Sequence, residues 1–288
     1  MTANTKRQSI DPLERVKRNL GQAIIYAILI AGAVWALFPF LWMVMSSLKG
    51  YAEASAAESF FPTRWLFSNY VEAWKEVGFF PQYFANTTFM AITIVAGVLI
   101  TSTLAAYAFA RMEFPGRDVL FIVLLATMMV PFEVTLIPNF ILVRNLKWVD
   151  QYQALIIPWV ASAFSVFLLR QFFISIPSDL HDAAVIDGCS DLRFLVSIIL
   201  PLSRPALITS GLFSFLASWN SLMWPLLVTN RPEMRPIQVG IASFITDAGT
   251  QIQLLLAAVT ISVIPVIILY LFLQRWFIEG IATVGIRG

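Results

Sequence analysis

Six apolar stretches of about 20 residues or more run through the chain, each long enough to cross the roughly 30 Å of hydrocarbon in a bilayer as a helix. They are Gln22–Met45, Thr87–Ala110, Val119–Val143, Ala154–Ile174, Ala206–Val228 and Leu254–Ile278. The third is the least uniform, because Pro131, Glu133 and Pro138 interrupt it. Backbone in hydrocarbon must satisfy its own polar groups, so runs of this length predict helices. Composition agrees: 59% of the residues are hydrophobic and only 12% are charged, about half the charged share of a soluble domain. The expected fold class is an all-α polytopic membrane protein with six transmembrane helices, surrounded by membrane lipid. Met1–Leu20 is polar and basic and the run after it is long enough to span, so no cleavable signal is expected.

Scarce residue types exclude whole chemistries. One cysteine, Cys189, rules out a disulfide scaffold, and one histidine, His181, cannot build a His/Cys zinc or haem site. His181 is expected to be solvated in a loop, and Cys189 to be a small packing residue. A net charge of +2 gives no electrostatic footprint for nucleic acid. Its distribution says more. If the loops alternate sides, 12 of the 19 basic residues fall with the two termini, among them Lys6, Arg7, Arg111, Arg117, Arg170 and Arg193. The other side holds the remaining 7, from Lys49 to Arg235. The positive-inside rule then makes both termini cytoplasmic. The resulting boundaries are a cytoplasmic tail at 1–21, a first helix at 22–45, an external loop at 46–86 and a cytoplasmic tail at 276–288.

The external loop is rich in aromatics, including Phe60, Phe61, Trp65, Phe67, Tyr70 and Trp74. Asn69–Glu76 reads as a short amphipathic helix capped by Ser68 or Asn69. Such a helix either lies at the membrane interface, packed on the bundle, or presents a docking surface to a partner.

The loop Ser175–Pro205 has more structure than a connector needs. Pro177 bars helix before it, Ser178 can cap a helix from Asp179, and Gly188 is placed to end that helix in a left-handed conformation. Ser190 can cap a second helix, Asp191–Leu200, stopped by Pro201. Leu180, Ala183, Ala184 and Asp187 share one face of the first helix, with Asp179, Asp182 and Asp191 at its edges. This small-apolar face either packs under its own bundle or sits in another protein's groove.

The run Asp182-Ala183-Ala184-Val185-Ile186-Asp187-Gly188, followed by Ile198 and Pro201-Leu202, resembles the EAA motif of permease subunits of binding-protein-dependent ABC importers. The family's usual Glu is Asp182 here. Further segments are similar to the carbohydrate-uptake class, the maltose-type second permease. They are Tyr107–Arg111 with Phe114-Pro115-Gly116, Met129-Val130-Pro131 through Pro138, Phe215 with Trp219-Asn220, and the tail Gly280–Gly288. The resemblance covers about residues 20–288. It implies a type I ABC importer permease fold in a bacterial inner membrane, with a five-helix core at 84–275 and a coupling loop at 177–201. It implies that Leu180, Asp182, Ala183, Ala184, Asp187, Gly188, Ile198 and Pro201 dock on an ATPase subunit. It also implies a second homologous permease, an ATPase dimer that holds ATP and Mg²⁺, and an extracytoplasmic sugar-binding protein. The chain itself is then no enzyme and carries no cofactor. No G-x-x-x-x-G-K-[ST] occurs in it.

Polar residues inside the spans are candidates for a substrate path. Glu133 lies between two prolines, and a carboxylate in a membrane marks a cavity or partner, unless it reaches the external interface and pairs with Arg144. Asn220 can hydrogen-bond sugar hydroxyls and Trp219 can stack on a sugar face, or the amide can join neighbouring helices. Tyr107, Thr101, Ser102, Thr103, Ser214 and Ser218 either line the same path or serve in packing. Two rival readings belong to other classes. A prenyltransferase-like enzyme would hold Mg²⁺ and diphosphate on the loop aspartates, but their spacings of 3, 5 and 4 residues make no acidic pair on one helix face. A stand-alone secondary transporter needs ionisable residues in the bundle, and no internal repeat supports one.

Overall fold

The computed structural model describes residues 12–76, 79–246 and 249–285. Of the two tails read from the sequence, 1–11 and 286–288 lie outside the described residues. Helices α1 (Pro12–Ser47), α2 (Tyr51–Ala56) and α3 (Ser68–Glu76) are followed by the longest buried element, α4 (Phe80–Arg111). Along α4 the side chains of Phe80, Tyr83, Thr87, Ala91, Ile94, Val98, Ser102 and Ala106 are buried. That spacing is one helical stripe, and it makes α4 the spine on which α8 (Ala163–Ile174) and α12 (Arg204–Trp219) pack.

Among the described residues four helices are long and apolar enough to span, Asn19–Ser47, Phe80–Arg111, Tyr152–Ile174 and Ile252–Gln274. Two bent helix pairs meet the same measure together, which gives up to six if each is one span. The third apolar stretch, expected as one run, is divided into α5 (Arg117–Thr127) and α6 (Phe132–Asn145), bent by 95°. Pro131 causes the break: it gives no N–H and drives Val130 away from helical dihedrals. The fourth run opens as α7 (Tyr152–Ile156) and a 3₁₀ turn at Ile157–Trp159 before α8. The fifth, expected through Val228, stops at Trp219 and resumes as α13 (Met223–Val228). Asn220 Nδ2 donates to the Leu216 carbonyl (2.9 Å) and occupies an acceptor of the last turn of α12.

Between α8 and α12 lie α9 (Asp179–Ile186), α10 (Asp191–Phe194), a π-helical turn at Leu195–Ile199 and α11 (Leu200–Leu202). Pro201, expected to stop this helix, is carried through it; the widened turn just before it accommodates a ring with no N–H to give. The bend to α12 is 83°. After α14 (Ile237–Ala242) the strands Ile245–Thr246 and Gly249–Thr250 pair antiparallel, the one sheet among the described residues, and α15 (Ile252–Gly285) closes the chain.

The two ends of α4 meet different partners. At one end Asn86 donates to the carbonyls of Glu233 (2.7 Å) and Arg235 (3.1 Å), and Tyr152 donates to Asn86 (2.7 Å). At the other, Arg111 donates to the carbonyls of Phe173 (2.7 Å), in the last turn of α8, and Ile176, just beyond it. These ends lie about 37 Å apart along one helix, close to the span of a bilayer with its inner headgroup margins. The segment 46–76 folds on the Asn86 side. Asn69 does not cap α3; its amide donates to the carbonyls of Ser47 and Lys49 (both 2.8 Å). Lys49 is fully buried, with its ammonium on the Ser59 carbonyl and over the Trp42 ring.

Gly240 is where α14 touches α4. A Cβ there would lie 2.2 Å from the Tyr83 ring. Gly240→Ala is expected to cost about 1–3 kcal/mol by overpacking, read as a lowered Tm in detergent, with Tyr83→Leu restoring part of the loss. Glu53 gives a pH signature. Its carboxylate accepts from the Thr63 N–H (2.9 Å), which holds its pKa below the ordinary 4.5, with the hydroxyls of Thr63 and Ser59 helping. A depressed folded pKa stabilises above the unfolded value and is lost as pH falls through the folded one. Protection of the amides across 53–63, taken relative to their intrinsic exchange rates, is expected to fall on acidification below about pH 4.5 in the native chain, and to show no such step in Glu53→Gln.

Candidate functional site

The loop between α8 and α12 lies at the Arg111 end and is built of short helical segments. Helix α9 begins at Ser178, which sits at the N-cap with helical dihedrals (φ −63°, ψ −31°) and no side-chain bond; its carbonyl accepts from the N–H of His181 (2.8 Å) and Asp182 (3.1 Å). The end of α9 is a Schellman motif. Gly188 has φ +73°, Cys189 N–H donates to Ala184 O (2.9 Å) and Gly188 N–H donates to Val185 O (3.0 Å). A Cβ on Gly188 would meet nothing within 4 Å, so glycine is needed there for its dihedrals and not for space.

The helix turns Ala184 inward, into a core with Tyr107, Leu169, Phe173, Phe194 and Ile199. His181, one turn earlier, is half-buried and not solvated as its loop position suggested; its ring packs edge-on against Phe194 (5.0 Å between centroids). Leu180, Ala183, Asp182, Asp187 and Gly188 face outward, as do Val185 and Ile186, the latter 85% exposed. Leu192 and Val196 extend this exposed apolar strip onto α10 and the π turn. Ile198 packs against the core at half burial and Pro201 is exposed. The face read from the sequence is thus split: Ala184 belongs to the bundle and its neighbours to the surface.

Asp191, read from the sequence only as an edge charge, is a junction. It accepts from the Tyr107 hydroxyl (3.1 Å) and lies 3.7 Å from His181 Nε2. Arg111 and Arg170 fasten the same end reciprocally. Arg111 of α4 holds the last carbonyls of α8, and Arg170 of α8 donates to Phe109 O of α4 (3.2 Å) with its guanidinium over Phe121. Each cation lies where helix carbonyls are unpaired.

A cavity of about 910 Å³ opens between α4, α6, α8, α12 and α13. Its polar lining is Ser162, Ser165, Ser214, Ser218, Asn220 and Ser221, between aromatic walls that include Phe132, Trp159 and Trp224. No ionisable side chain lines it among the described residues. The sequence-derived path residues divide. Ser218, Ser214 and Asn220 line the cavity, and Ser218 Oγ is buried without a hydrogen-bond partner. Trp219 does not: it is buried, stacked on Phe215, with its indole N–H on Ser262 O (3.1 Å). Tyr107 lies with the loop instead. Glu133 is exposed in the first turn of α6, beside cavity-lining Phe132, and makes no ion pair with Arg144. A carboxylate there suits the positive end of that helix. Thr101 donates to Val160 O (2.7 Å) and Ser102 approaches Ser162 O (3.5 Å), so both join α4 to the segment before α8. Thr103 is buried in the bundle. Ser162, Ser165 and Ser221 had no signal in the sequence, because a serine in an apolar run reads alike whether it packs or lines a void. No group of three His, Cys, Asp or Glu side chains gathers at metal-binding distance among the described residues.

Two substitutions separate the shape of the loop from its surface. Gly188→Val forces a β-branched residue into left-handed dihedrals, at about 2 kcal/mol or more, and is expected to unfold the corner; Gly188→Asn is expected to keep it. Ile186→Asp leaves the fold intact and alters only the exposed strip. Limited proteolysis at 186–190 checks both. Ala184→Arg is no test of the surface, since it drives a charge into the core.

Comparison with known proteins agrees with this architecture. Over 256 residues the chain is 33% identical to the arabinooligosaccharides transport system permease protein AraQ of Halalkalibacterium halodurans, covering 88% of this chain and 92% of that one. Over 264 residues it is 35% identical to the sn-glycerol-3-phosphate transport system permease protein UgpE of Yersinia pestis, covering 89% and 94%. A solved structure of a bacterial ABC transporter involved in the import of the acidic polysaccharide alginate superposes with a TM-score of 0.78 at 26% identity, over 93% of this chain and 99% of that one. Residues 97–283, more than half of the chain, match the family described as binding-protein-dependent transport system inner membrane component. With relatives above 30% identity along most of their length as well, the chain belongs to that family.

Proposed function

We propose that the chain is the membrane permease subunit of an ATP-driven importer for a saccharide, or a related polyol or its phosphate, handed over by an extracytoplasmic binding protein. The single observation that carries this reading is the ordered loop at 177–201, which presents an uncovered apolar strip (Leu180, Val185, Ile186, Leu192) at one end of a bundle of this family. A strip of that kind asks for a partner, and an ATPase subunit is the partner that supplies the work. ATP and Mg²⁺ then sit on an ATPase dimer, and a second homologous permease completes the path across the bilayer. The names of the relatives, for arabinooligosaccharides and sn-glycerol-3-phosphate, support the substrate range. The cavity supports the saccharide end of that range, since serine hydroxyls and aromatic faces suit a neutral sugar.

In this reading both termini are cytoplasmic, the protein spans a bacterial inner membrane six times and 46–86 is external. Closure of the ATPase pair moves the loop as a rigid element and switches the cavity between its two sides.

The test is reconstitution of the chain with its copurifying subunits in vesicles. Uptake of a labelled saccharide is expected to need internal ATP, the ATPase subunit and the binding protein together, and Ile186→Asp is expected to lower uptake at least tenfold with the chain still in the membrane. Uptake by the chain alone down an ion gradient would exclude an importer subunit.

A further inference from the structure

We infer that Tyr107 and Asp191 form the tether that makes the loop at 177–201 and the cavity-lining helix α4 move together. Both are positioning residues that act through the helices they join. The inference rests on the importer role proposed above and adds the residues through which the loop's movement reaches the cavity.

Helix α4 carries both ends of the connection. Met90, Ile94 and Val98 line the cavity, and Tyr107 follows a little over two turns later on the same rigid element. Its hydroxyl reaches out of the apolar core to Asp191 Oδ1 at 3.1 Å, across 84 residues of sequence. Among the described residues this is the one side-chain hydrogen bond between the segment 177–202 and a spanning helix. Asp191 opens α10, and His181 of α9 lies 3.7 Å from the same carboxylate oxygen, so one carboxylate faces α4, α9 and α10 at once. The Arg111 and Arg170 clasps join α4 to α8 and stop at Ile176, just short of the loop.

Burial distinguishes a tether from a strut. The Tyr107 ring is 5% exposed and packs with Leu169, Phe173 and Phe194, contacts that phenylalanine reproduces. The Asp191 side chain is 65% exposed, so without the hydroxyl its carboxylate is solvated by water and no buried charge is orphaned. Removing the bond therefore leaves the fold and the apolar contacts standing and takes away the one polar restraint that fixes the loop's position against α4.

The experiment compares Tyr107→Phe, Asp191→Ala and Asp191→Asn in the reconstituted complex, with ATP hydrolysis and uptake measured on the same vesicles. For Tyr107→Phe, copurification and ATP hydrolysis are expected to stay at wild-type levels while saccharide taken up per ATP falls about fivefold, the size of one hydrogen bond lost from one state. Asp191→Ala should match it, the double variant should be no worse than either single one, and Asp191→Asn, which keeps an acceptor oxygen, should restore most of the ratio. An unchanged ratio in Tyr107→Phe, or additive losses in the double variant, overturns the tether. A loss of copurification overturns it as well, in favour of a structural role. Hydrogen exchange on the purified chain decides the same point without transport: amides 191–194 should exchange faster in Tyr107→Phe, and equal rates sink the inference. If the wild-type complex shows no ATP-dependent uptake, the importer reading fails, while the exchange measurement still decides the tether.

Discussion

At Gly97 the spine of the bundle lies hard against the Val160 side chain. A Cβ there would lie 2.8 Å from Val160, and one turn later Thr101 Oγ1 donates to the Val160 carbonyl (2.7 Å). The segment it touches is the gap between the 3₁₀ turn at Ile157–Trp159 and α8, where carbonyls have no helical partner. In hydrocarbon such groups cost several kcal/mol each if unmet, so α4 must supply the donor. Once that gap is fixed, α8 is aimed at the Arg111 end, its last carbonyls meet Arg111, and the loop begins where the core of Phe173, Phe194 and Ile199 can receive it.

The same rule explains where the chain is irregular. The breaks at Val160–Ser162 and Asn220–Leu222 border one cavity, and several of their residues line it. Non-helical backbone at membrane depth is tolerated where it is covered by protein or borders a void. The cavity is therefore the reason that these two runs can be interrupted, and the interruptions help to give it serine and asparagine edges in place of a purely aliphatic wall. Family membership and the names of the relatives give this void its biological meaning, but its shape follows from backbone chemistry.

Much of this was legible in the residues. Hydropathy marked all four helices long and apolar enough to span among the described residues, because a bilayer sets a length that composition must meet, and Gly188 announced its left-handed corner because no other residue adopts those dihedrals so cheaply. Direction was harder to read. Ala183 and Ala184 are identical in any pattern, yet one faces out and the other in, since the core that decides between them comes from α4, α8 and α10. Trp219 looked like a platform for a sugar because indole chemistry permits it; the Ser262 carbonyl 43 residues away claims the N–H. Tyr107 looked like lining because it sits in a span, and only the fold brings Asp191 to it. Pro131 was visible as an interruption, but a 95° turn depends on what packs on either side.

Helix α1 differs from all of this. From Ala23 to Leu41 its side chains are exposed, and only from Ser46 onward is it buried against the rest of the chain. The family match begins at residue 97, well past it. Among the described residues nothing in this chain buries that length of helix, so within the chain its side chains are not read individually. What it must keep is a sum, enough apolar length to reach across the bilayer, and that sum can be met by a vast number of sequences. The consequence is tolerance within the chain: exchanging leucine, isoleucine, valine, phenylalanine and alanine between Ala23 and Leu41 leaves this chain's own packing unchanged, while α4, packed along its buried stripe by two neighbours, registers each residue.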